Sequence, residues 1–94
     1  MFVHVVFFRF HDESAAPEAK RRLESMLGRV PTLRALEVGI DMLHTERSWQ
    51  MTLRTEFDDQ DGYNAYAVDA VHQEVLSWLK TVVQASATVD YVTQ

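Results

Sequence analysis

An α+β fold is predicted by three features of this 94-residue sequence: two helices over one face of a four-stranded antiparallel sheet, in the order β-α-β-β-α-β. The first is an opening run, FVHVVFFRF, that alternates as a strand and is apolar on both faces. The second is a pair of amphipathic stretches with apolar residues at three- and four-residue steps. The third is a short polar joint, His44–Arg47, between two alternating segments, which favours an antiparallel hairpin. This is the ferredoxin-like arrangement, and the length allows one domain, residues 1–94.

Taken in order, Phe2–Phe10 sets Phe2, His4, Val6, Phe8 and Phe10 against Val3, Val5, Phe7 and Arg9, as a central strand covered on two sides would. Ser14 is the expected N-cap of the first helix, with Pro17 and Glu18 in its first turn. Ala16, Ala19, Leu23, Met26, Leu27 and Val30 form its apolar stripe, and it closes near Gly28, before Pro31. The second strand places Leu36, Val38, Ile40 and Met42 on one face. The third places Trp49, Met51, Leu53, Thr55 and Phe57 on one face. Asp58, Asp59 and Asp61 load the start of the second helical region with the charge a helix N-terminus favours. Asp69 is expected to cap a renewed helix, whose apolar stripe Val68, Val71, Val75, Leu76, Leu79, Val82 and Val83 has one polar member, His72. A last strand spans Ala87–Thr93.

Composition removes several function classes. Nine basic residues against 14 acidic give a net charge of -5, the wrong sign for a nucleic-acid partner. Lys20, Arg21 and Arg22, with Arg29 beyond them, read as a solvated helix face. No apolar run approaches the roughly 18–20 residues of a membrane span. Met1–Phe10 has no basic leader, so a cytoplasmic location and no membrane partner are expected. With no cysteine there is no thiol nucleophile or thiolate metal site. His11-Asp12-Glu13 and His44 with Glu46 lack metal-ligand spacing, so neither metal nor cofactor is expected. No serine lies in a nucleophile elbow.

Histidine is then the leading candidate for chemistry. His4 interrupts the central strand and His72 interrupts the longest helical stripe. If the second helix covers the sheet, both imidazoles enter one space between the layers. A buried polar group without a partner costs about 1–3 kcal/mol, so partners or a wet cavity must be present. Tyr66, six residues before His72, could orient a substrate hydroxyl or carbonyl. Tyr63, Trp78 and Tyr91 read as ordinary core or rim aromatics. Helices on one face only leave Phe7, with Val3 and Val5, facing water in a monomer, and two such faces packed together would make a homodimer.

The opening FVHVVFFRF, the pair LEVGIDM and WQMTLRTEFDD, the helix YNAYAVDAVHQEVLSWLK and the closing ATVDYV together resemble the stress-responsive α/β-barrel (Dabb) family across essentially the whole chain. That resemblance implies a ferredoxin-like protomer that pairs through its sheets into a dimeric α/β barrel. Many family members have no assigned activity, while one plant member closes a linear polyketide without a cofactor. It does so with histidines at the positions of His4 and His72 and a tyrosine at the spacing of Tyr66. Here Ala70-Val71 precedes His72 where the family usually has Pro-Ala. The expected function is a His-lined small-molecule cavity with catalytic His4, His72 and Tyr66, suited to cofactor-independent acid/base chemistry on a small hydrophobic or carbonyl compound. The alternatives are a non-catalytic stress-response dimer module and a monooxygenase-like barrel, cofactor-free or haem-degrading.

Overall fold

The computed structural model describes residues 1–94. The chain runs β1 (Phe2–Phe10), a single 3-10 turn (Glu13–Ala15), α1 (Ala16–Glu24), β2 (Ala35–Ile40), β3 (Met51–Phe57), α2 (Gln60–Val68), α3 (Ala70–Val82) and β4 (Val83–Val92). The sheet order is β2-β3-β1-β4, with every neighbouring pair antiparallel. This is the ferredoxin-like fold predicted, with the second helix divided in two.

The core lies between sheet and helices. Val6, Phe8 and Phe10 of β1 and Met51, Leu53 and Phe57 of β3 bury against Ala16, Ala19 and Leu23 of α1 and Val75 and Leu79 of α3. Each large side chain removed from water in this layer contributes about 1.5–3 kcal/mol before entropy is counted. Thr55 is the one buried hydroxyl of β3, and it donates to the His4 carbonyl at 3.1 Å.

Local boundaries differ from the sequence expectation in instructive ways. Ser14 does not cap the first helix: α1 follows Ala15 with no side-chain cap, and Asp12 instead caps the 3-10 turn before it, accepting from the Ser14 N–H at 2.9 Å. α1 ends at Glu24, and the chain then turns through Gly28, whose φ of 86° suits a residue without a Cβ. Leu27 therefore leaves the apolar stripe and is exposed. Met42 lies beyond β2 and is 82% exposed, and β3 begins at Met51 rather than Trp49. Between α2 and α3 the backbone at Asp69 is extended, with ψ 139°, which turns Val68 out to 78% exposure. β4 starts directly at Val83, four residues before the expected Ala87 and with no loop after α3.

The other sheet face carries no helix. Val3 was expected to face water, yet it is fully buried. Its cross-strand neighbours are Glu56 and Tyr91, and Arg54 donates to Glu56 at 2.6 Å, so these long side chains roof it. Val5 and Phe7 stay partly exposed, Val89 is 53% exposed, and Arg9 stacks over the Trp49 ring at 4.4 Å.

Candidate functional site

His4, Tyr66 and His72, singled out separately in the sequence, come together in one cluster. His4 is held by the centre of the sheet, where register places it between Thr55 of β3 and Asp90 of β4. The residue is 9% exposed and its Nδ1 bonds to Asp90 Oδ1. On its other side lies Tyr63 of α2, with ring centres 4.8 Å apart. Tyr63 and Tyr66 follow at 6.2 Å, and Tyr66 packs on His72 at 4.2 Å. The four rings form a continuous row from the sheet to the start of α3. Phe57 backs it, 5.7 Å from Tyr63 and 5.0 Å from Tyr66.

The break at Asp69 is what aims His72. Asp69 caps α3 by accepting from the Val71 N–H at 2.8 Å, so Ala70 opens the helix without a proline. Ending α2 there also leaves the Ala67 carbonyl without a helical partner. His72 Nδ1 takes it at 3.1 Å, and the Gln73 amide donates to the same oxygen at 2.6 Å. A carbonyl can only accept, so His72 Nδ1 carries the proton and Nε2 keeps its lone pair. The Asp90 carboxylate fixes His4 the same way, with Nδ1–H directed at Oδ1 and Nε2 left free.

Protonation follows from burial. Burial lowers the His72 pKa from its ordinary 6.5, and nearby His4 lowers it further, against the Ala67 carbonyl and Asp69, which act the other way. Burial raises the phenol of Tyr66, with a further rise from Tyr63, and raises Tyr63, with a further rise from Asp90. Near neutral pH the cluster thus holds one imidazole ready to accept a proton and two phenols that keep theirs. No buried side-chain polar atom lacks a partner. Tyr66 makes no side-chain hydrogen bond, so its hydroxyl reaches the solvent edge while its ring is buried.

The helices pack over β1 and β3, while Ser86, Thr88 and Asp90, on the helix side of β4, remain exposed. The exposed strand β4 thus flanks the cluster on the side of Asp90. Two hollows lie elsewhere, neither lined by His4, Tyr66 or His72: one of about 520 Å³ beside Phe7, Ile40 and Trp49, and one of about 410 Å³ beside Asp12, Asp41 and His44. No three His, Asp or Glu side chains converge in an arrangement that could hold a metal ion. Tyr91, expected to be an ordinary aromatic, sits on the opposite face with Arg54, and Trp78 lies under Arg22 at 4.2 Å.

Sequence reasoning missed Asp90 and Tyr63. Asp90 stands in the closing VDY, where alternation puts it on the same face as Thr88, but only the β1–β4 register pairs it with His4. Tyr63 is three residues before Tyr66 on one helix, a signal that equally fits a core aromatic.

The family model for the stress responsive A/B barrel domain (Dabb) matches residues 2–93, and the chain belongs to that family. No curated protein matches by sequence. Among solved structures, a dimeric ferredoxin-like protein of unknown function from Bacteroides fragilis has a TM-score of 0.86 at 26% identity, over 98% of this chain and 95% of its own. A Dabb protein from Mesorhizobium loti has a TM-score of 0.76 at 22% identity, over 99% and 96%. The hydroxynitrile lyase of Passiflora edulis has a TM-score of 0.85 at 10% identity, over 99% and 93%. The last two likenesses, both below 25% identity, are likenesses of fold.

Proposed function

We propose that this stress responsive A/B barrel domain is a homodimer whose His4–Tyr66–His72 cluster carries out cofactor-independent acid/base chemistry, cyclase- or lyase-like, on a small carbonyl compound. The observation that carries this reading is the double tautomer lock: both Nδ1 atoms are tied to acceptors, so both Nε2 atoms are free to exchange protons. His72 Nε2 takes the proton next to the carbonyl. The electron pair moves into the carbonyl oxygen, where the Tyr66 hydroxyl donates a hydrogen bond to the developing enolate. The proton held on His72 Nε2 then returns to the substrate directly or by way of His4 Nε2, with His4 steadied by Asp90. The Passiflora protein supports the reading only to the extent that a lyase can be built on this fold.

The test is deuterium exchange at the carbon acids of acetylacetone, followed by NMR. The protein should accelerate exchange, and His72→Ala should reduce the acceleration by about 10²–10⁴-fold, the usual worth of a positioned base. Its circular dichroism should stay that of the parent. Exchange that is equally fast in the variant overturns the assignment.

The homodimer rests on the helix-free sheet face, where Val5, Phe7 and Val89 leave apolar surface open. The Bacteroides structure, described as dimeric, supports it. A second reading is favoured by how fully Asp90 and Ala67 satisfy the two histidines: they would be polar struts in a non-catalytic dimer. Under it, His72→Ala would lower stability and no exchange would be catalysed by the parent.

A further inference from the structure

The charge of the His4–Tyr66–His72 cluster is set by few groups. Its titratable members and neighbours are His4, His72, Tyr63, Tyr66, Asp90 and, at the α3 cap, Asp69. Six of the nine cationic side chains are engaged elsewhere, and Arg47 borders the hollow beside Trp49. Arg34 pairs with Asp58, Arg54 with Glu56 on the opposite sheet face, Lys20 with Glu24, and Arg21 and Arg22 with Glu18. Arg9 lies over Trp49, and the amino terminus donates to Thr93. Asp90, bonded to His4 Nδ1, is 41% exposed at the edge of the cluster and has no cationic side chain paired with it besides that imidazole.

We infer that the site selects uncharged, planar, enolisable carbonyl compounds and rejects their carboxylate or phosphate counterparts, with Asp90 as the residue that enforces the choice. This rests on the acid/base reading of the same cluster and names its substrate class. An anionic group entering beside Asp90 adds like charge in a partly desolvated place and gains no cation in return. A flat neutral enol instead lies against the Tyr63 and Tyr66 rings and exchanges hydrogen bonds with the two Nε2 atoms. The net charge of -5 acts in the same direction at long range, but it is screened by salt, whereas the Asp90 effect is local.

Acetylacetone and acetoacetate form a nearly isosteric pair that differs by this charge. Their dissociation constants can be read from the His72 and Tyr66 NMR signals at neutral pH and moderate salt. Acetoacetate should bind at least about tenfold more weakly, a difference of about 1.4 kcal/mol. Asp90→Asn should bring the two within roughly threefold by tightening acetoacetate. Equal or tighter binding of acetoacetate by the parent, an undiminished preference in Asp90→Asn, or binding of neither probe overturns the inference. Selective binding of acetylacetone without His72-dependent exchange leaves the selectivity standing and removes the catalytic reading instead.

Discussion

His72 gives up its proton more readily than an imidazole in water, because burial disfavours the charged ring. The consequence for stability has a definite sign. Its folded pKa lies below the unfolded 6.5, so the stabilisation is complete above 6.5 and is lost as pH falls towards the folded value. Denaturant titrations from pH 8 to 5 should show stability level down to about 6.5 and then falling. His72→Gln, which cannot titrate, should flatten that part of the profile; an unaltered slope would place the cause elsewhere. The acid limb of any exchange activity should lie below 6.5 as well. His4 and His72 were legible in the sequence because each is a polar residue breaking an apolar pattern. Asp90 was not, because it lies 86 residues from His4 and only strand register unites them.

At the level of elements, the joint between α2 and α3 does the most with the fewest residues. Asp69 caps α3, and the extended backbone there frees the Ala67 carbonyl that orients His72. Asp69→Ala should cost about 1 kcal/mol in denaturant unfolding, as lost N-caps do. It should also broaden the His72 ring signals in NMR, since the first turn of α3 loses its anchor. Unbroadened signals would show that the Ala67 bond alone holds the ring. The cap was readable from sequence, but its effect on Val68 was not. A helical stripe assumes an unbroken helix, and one extended residue rotates everything before it out of phase. The same limit hid the true start of β4, because Val82 and Val83 continue the apolar spacing of α3 while the backbone changes to strand.

For the molecule as a whole, the helix-free face is the surface through which the proposed homodimer pairs. Val89 is half-exposed on an edge strand, so Val89→Glu should leave the protomer folded while placing a charge in the middle of a paired face. Sedimentation equilibrium should report a parent dimer and a variant monomer, and a variant that remains dimeric would move the interface elsewhere. The fold order, the central β1 and the open sheet face were all read correctly from alternation and length. The Arg54–Glu56–Tyr91 cover over Val3 was not, since it joins two strands far apart in the chain.

The passage from α3 into β4 without a loop gives the chain a built-in phase. His72 and Asp90 sit on one continuous run of helix and strand, clamped at the joint by the His11 N–H bonding to the Val82 carbonyl at 2.9 Å. Strand side chains alternate sides with every residue, so one alanine inserted between Val82 and Val83 would be absorbed by turning the whole strand over. Asp90 would then face the Arg54 side of the sheet, and Val89 would meet His4. An insertion far from either histidine should therefore abolish the His4–Asp90 pairing in NMR while leaving both residues in place. A second inserted alanine should return Asp90 to the His4 side but two positions along, opposite Phe2 with Thr88 facing His4, so the side is recovered while the pairing stays lost.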